Sequence, residues 1–171
     1  MNPTRNTRLI WIAAAALSVT ASGCGDDHHH DHAIDDHACG HVANGPFGSV
    51  TAGADADAAP DAINEATWYT VSLPLIDDGP ERLGYLALTI NVDDDYGFFL
   101  DADVPLEVVD AAGTTLPVSS SGDGSGICAI TRYAVYELSV GTHDVIIGPT
   151  ELEEINLIVE ELEDDGHHHH H

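Results

Sequence analysis

The sequence contains no lysine. Its four basic residues, Arg5, Arg8, Arg82 and Arg132, stand against 30 aspartates and glutamates in 171 residues, a formal net charge of −26. Such a chain has no basic face with which to neutralise phosphates, which excludes nucleic-acid binding. The same deficit excludes electrostatic docking on anionic lipid. Aromatic residues are scarce at 6%, so the core is expected to be mainly aliphatic. Apolar runs are short: the stretch over residues 9–19 falls below the roughly 20 residues that a permanent membrane-spanning helix needs. G-x-S-x-G, H-E-x-x-H and phosphate-binding glycine loops are missing as well. Away from the two ends of the chain there is one histidine, His143. General acid–base catalysis therefore has few candidates, and the protein is expected not to be an enzyme.

What is present begins with targeting. Arg5 and Arg8 precede the apolar stretch 9–19, and Thr20-Ala21-Ser22-Gly23-Cys24 follows it. This order resembles the signal peptide and lipobox of bacterial lipoproteins, with Ala21 where that family usually has leucine. The resemblance implies a signal helix over residues 1–23, cleavage before Cys24 and lipid on Cys24. It implies anchoring in the membrane and a place in the cell envelope, facing the periplasm or the exterior. Beyond residue 23 the chain keeps two arginines against all 30 acids, a formal charge of −28.

With Cys24 assigned to lipid, Cys39 and Cys128 remain, an even number in an oxidising compartment. A disulfide between them would close a loop of roughly 90 residues and stabilise by about 4–5 kcal/mol in the chain-entropy account. The alternative is Cys39 as a free, metal-binding thiolate.

Composition then divides the chain. Residues 25–41 are almost purely Asp, His and small residues and are expected not to fold alone. Residues 42–50 carry the turn signal Gly45-Pro46 and room for one strand, and residues 51–64 are an Ala/Asp-rich linker. Residues 24–64 thus form a tether and linker, residues 65–163 the folded domain, and residues 164–171 a disordered His-rich tail.

The domain divides into short strand-like segments, 68–73, 84–92, 96–100, 106–109, 115–119, 132–140, 142–148 and 155–162, with apolar alternation plainest over 84–92 and aromatic content over 96–100. Turn signals fall between them, and 120–126 is a loop. No 3.6-residue apolar period appears beyond the signal. The expected fold is all-β, a single antiparallel β-sandwich of about seven or eight strands. Tyr136-x-Leu138-x-x-Gly141-Thr142-x-Asp144-Val145-x-Ile147 resembles the penultimate hairpin of small secreted immunoglobulin-like or pre-peptidase-like domains. That resemblance implies the sandwich and no activity.

The twelve histidines are concentrated at the ends: six over residues 28–41, five over 167–171, and His143 alone between them. The terminal run is either a purification tag or native; the His-rich opposite end favours the latter. His28, His29, His30, His32, His37 and His41, interleaved with aspartates, are the candidate metal ligands. They resemble the His-rich loops of periplasmic metal-handling proteins. Imidazole with carboxylate suits zinc, copper or nickel. In an extended His37-x-Cys39-x-His41 segment, two imidazoles and a thiolate would project to one side. Asn91-x-Asp93-Asp94-Asp95-x-Gly97 has alternating oxygens, but its glycine sits one place late and Ala102 occupies the twelfth position. It reads as a β-hairpin turn between Ile90 and Phe98, and calcium is not expected.

The leading expectation is a non-enzymatic lipoprotein that binds or buffers a divalent transition metal, releasing it below about pH 5.5 as ordinary imidazoles protonate. The alternative is a structural or adhesive module that binds an unidentified protein or polysaccharide, with the His/Asp stretch serving only as a tether. Acidity as an adaptation to high salt would explain the charge but not the histidines.

Overall fold

The computed structural model describes residues 33–162, apart from 64, 78, 125 and 127. The signal segment, Cys24, His28, His29, His30, His32 and the tail from residue 163 lie outside the described residues. Helix α1 (Ala33–Asn44) is followed by ten strands: β1 (Phe47–Thr51), β2 (Asp61–Ile63), β3 (Trp68–Ser72), β4 (Arg82–Ile90), β5 (Asp94–Leu100), β6 (Leu106–Val109), β7 (Ser120–Asp123), β8 (Arg132–Leu138), β9 (Gly141–Thr150) and β10 (Glu154–Glu161). One sheet has the order β1-β3-β10-β5-β8-β7 and the other β2-β4-β9-β6. The protein is mostly β, as expected, in two sheets.

The sheets are not purely antiparallel. β1 runs parallel to β3 and β2 parallel to β4, so each sheet carries a parallel edge pair. The chain changes sheet at nearly every connection; only β7 and β8 are sequence neighbours that pair within a sheet. The turn at Asn91–Asp93 and the turn before Gly141 therefore carry the chain between sheets, where hairpins were expected. Local turn signals mark a reversal but not which sheet the next strand joins.

Three more expectations are corrected. Residues 33–44, expected as tether, form α1, and the linker 51–64 holds a short 3-10 turn at Ala56–Ala58 and the strand at 61–63, while the one strand expected in 42–50 is β1. The expected strand at 115–119 is reduced to one bridge, Val109 to Thr115, and the expected loop 120–126 supplies β7. The Ser-Ser-Gly-Asp sequence of β7 has little β propensity; pairing with β8 imposes the conformation, and the Tyr133 ring covers Gly122.

The two sheets enclose one core. Val71 and Leu73, Tyr96, Phe98 and Leu100, Tyr136 and Leu138, and Ile155, Leu157 and Val159 face it from the larger sheet. Leu86, Leu88, Ile90, Leu106, Val108, Val145 and Ile147 face it from the smaller. Among its tyrosines, Tyr136 donates to the Leu106 carbonyl across the sheets and Tyr96 to the Val92 carbonyl.

The other face of the larger sheet carries a second, smaller apolar cluster of Trp68, Phe99, Ile130 and Ile158, under Ala38 of α1. The central strands of that sheet are thus covered on both sides. This accounts for the contiguous apolar runs Phe98-Phe99-Leu100 and Leu157-Ile158-Val159 in place of alternation.

Candidate metal centre

Helix α1 ends where its sequence dictates. Gly45 adopts φ +76°, its N–H donates to the His41 carbonyl at 2.8 Å, and Pro46 follows, as in an αL cap. The Pro46 carbonyl then accepts from Trp68 N–H, which ties the end of the helix to the start of β3.

On a helix, residues four apart share a face, whereas a residue two along lies about 200° round the axis. His37 and His41 therefore present together, with ring centroids 4.9 Å apart and edge to face. Cys39 turns away from them and bonds Cys128, in the connection between β7 and β8, at a Cα–Cα distance of 5.7 Å. The disulfide alternative holds and the thiolate-ligand alternative does not. The convergence of His37, Cys39 and His41 on one ion required an extended chain, and the helix separates them.

The third member of the site comes from β10. Glu160 is 3% exposed and lies on the same sheet face as Ile158, opposite Gly97 of β5, which is covered by the Phe99 ring and the Leu162 side chain. His37 Nδ1 donates to Glu160 Oε2 at 3.0 Å, and His41 Nε2 stands 3.8 Å from Glu160 Oε1. His41 Nδ1 donates to the Gly45 carbonyl at 3.0 Å, which orients the ring with Nε2 toward the glutamate. Glu160 Oε1 is buried and has no hydrogen-bond donor among the described residues. A buried carboxylate oxygen without a partner is costly, and a cation shared with two imidazoles would satisfy it.

One ligand atom from each of His37, His41 and Glu160 lies within 4.8 Å of the other two. Ligands about 2.1 Å from a tetrahedral zinc stand roughly 3.4 Å apart, so binding requires the group to draw together. His37 is the member free to move: its side chain is 75% exposed, against 22% for His41. Two imidazoles and a carboxylate can hold a divalent transition ion with a position left open to solvent.

Of the six histidines singled out from the sequence, His37 and His41 meet at this site, and the other four lie outside the described residues. Glu160 was not anticipated. It is one acid among 30, and only its phase with Ile158 on a doubly covered strand distinguishes it. His143 belongs elsewhere: it is buried on β9 and donates from Nε2 to the Ser139 carbonyl. The Asp93, Asp94 and Asp95 carboxylates line an open depression with Asp110 and Glu137; Asp93 accepts from Val140 N–H, Asp94 from Asp95 N–H, and Asp110 from Ala112 and Thr114 N–H. No helix among the described residues is long and apolar enough to cross a membrane. No protein-family model matches the chain, and no curated protein matches it.

Proposed function

We propose that the protein is a non-enzymatic lipoprotein of the bacterial cell envelope, anchored through lipid on Cys24, whose β-sandwich body binds a divalent transition metal at His37, His41 and Glu160. One observation carries this reading: a buried glutamate with an unpartnered oxygen lies under two imidazoles held one helical turn apart. A tether or an adhesive module requires no such group, and burial of an ionisable side chain without full pairing disfavours the fold. The Cys39–Cys128 disulfide supports an oxidising compartment, in keeping with the signal segment. Zinc, copper and nickel all suit the donors. His28, His29, His30 and His32 offer further imidazole donors of the same chemistry.

Isothermal titration of the purified protein with zinc tests the reading. His37→Ala/His41→Ala and Glu160→Gln should each weaken the tightest binding at least tenfold. Equal affinity in wild type and both variants would show that the ion, if bound, resides elsewhere.

A further inference from the structure

We propose that the Cys39–Cys128 disulfide is a redox latch on the metal site: oxidised, it holds the two histidines over Glu160; reduced, it lets them go and the metal with them. The proposal rests on the metal-binding reading above. The latch is placed to act this way. Cys39 lies midway between His37 and His41 and points to the opposite side of the helix, so its bond to Cys128 pins the middle of α1 to the sheet. Little else does so. A helix of 12 residues is marginal by itself in water. The apolar anchors of α1 are the buried Ala38 and the partly buried Val42 and Cys39, and its C-terminal end is tied only through Gly45, Pro46 and β1.

Two of the three ligands therefore sit on a short helix that the disulfide fastens together with a small apolar contact and the His37–Glu160 hydrogen bond, and the third sits on β10 of the sheet. With the bond intact the ligands are preorganised. With it broken, metal binding must also order the helix, which weakens affinity.

The redox step is a thiol–disulfide exchange with a dithiol reductant. The Cys39–Cys128 S–S bond breaks and both sulfurs become thiols. The reductant supplies two electrons and two protons and closes its own disulfide. Reciprocity then requires metal on the site to oppose that reduction by the same factor. Zinc is the probe of choice because it has no redox chemistry of its own to oxidise the thiols.

Zinc affinity is measured by chelator competition for the oxidised protein, for Cys39→Ser/Cys128→Ser and for His37→Ala/His41→Ala. The serine variant should bind at least tenfold more weakly than the oxidised protein, at the level of the histidine variant. Equal affinity in the serine variant and the oxidised wild type overturns the latch and leaves the metal site standing. Oxidised wild type no tighter than the histidine variant overturns both. Should the serine variant fail to fold, the wild-type protein is equilibrated in a dithiothreitol redox buffer with and without buffered free zinc. Zinc should shift the equilibrium at least tenfold toward the disulfide, about 30 mV for a two-electron couple. The shift should vanish in His37→Ala/His41→Ala. No shift, or a shift toward the thiols because freed cysteines capture the ion, overturns the proposal.

Discussion

The two faces of the larger sheet are built on opposite terms. Between the sheets, aliphatic and aromatic side chains from both layers fill one core, and the Tyr96 and Tyr136 hydroxyls have partners. Under α1 the apolar cluster is small, a disulfide supplies the attachment, and a carboxylate is buried with one oxygen left over. The first face is large and mostly apolar, and it buries His143, in phase with Val145 and Ile147 on β9, whose Nδ1 has no hydrogen-bond partner among the described residues. The second is small and buries a carboxylate beneath two imidazoles, where the unpartnered atom carries the charge chemistry of an acid.

Four perturbations probe that contrast, in decreasing order of expected effect. Cys39→Ser/Cys128→Ser removes a cross-link spanning 89 residues and should lower unfolding stability by about 4–5 kcal/mol in denaturant titrations, where the chain-entropy account sets the scale. A loss confined to α1, with the two-sheet core unfolding at its wild-type midpoint, would show that the two faces are energetically separate. Phe98→Ala opens the inter-sheet core beside the Tyr136 ring, which it meets edge to face at 5.5 Å, and should cost about 3–5 kcal/mol. It should leave zinc affinity of the folded protein unchanged, because Glu160 and Phe99 face the other way.

The third probe is alkali. Burial, reinforced by Glu65, Glu161, Asp94 and Asp93, raises the Tyr96 phenol from 10.0 to about 12, and burial likewise raises Tyr136. A group whose folded pKa lies above its unfolded value stabilises fully below the unfolded pKa. That contribution is lost as pH rises from 10 toward 12. The loss for Tyr96 is on the order of 2–3 kcal/mol. Phenolate absorbance and unfolding midpoints followed together should show it, and Tyr96→Phe should flatten the decline. The smallest effect belongs to Glu160→Gln. Without metal it should hold stability within about 1 kcal/mol of wild type, or raise it, since a neutral amide replaces a poorly satisfied buried charge. A large destabilisation in thermal melts would mean that Glu160 is a structural ion-pair partner of the histidines.

Much of the inter-sheet core was legible in the chain. Segments 84–92, 106–109 and 132–140 alternate cleanly, and the structure makes them strands with the expected faces inward. The α1 face was not. Residues 25–41 are too polar to signal an element, yet residues 33–44 form α1 over a cluster contributed by β3, β5 and β10, with Cys39 bonded to Cys128, 89 residues away. Once a segment is helical rather than extended, His37 and His41 pair and Cys39 departs, so the ligand set changes with the backbone. The runs Phe98-Phe99-Leu100 and Leu157-Ile158-Val159 were the available sign that the larger sheet is covered twice.

Composition and period-2 patterning by themselves determined the acidic, aliphatic, mostly β character of this protein, because charge and burial patterns are properties of local sequence. The Cys39–Cys128 pairing was open to cysteine count as one of two alternatives, whereas which strands share a sheet and which of 30 acids lies under two histidines were decided by tertiary structure alone. Those outcomes depend on contacts between residues far apart in the chain, and no local signal encodes a partner at that distance.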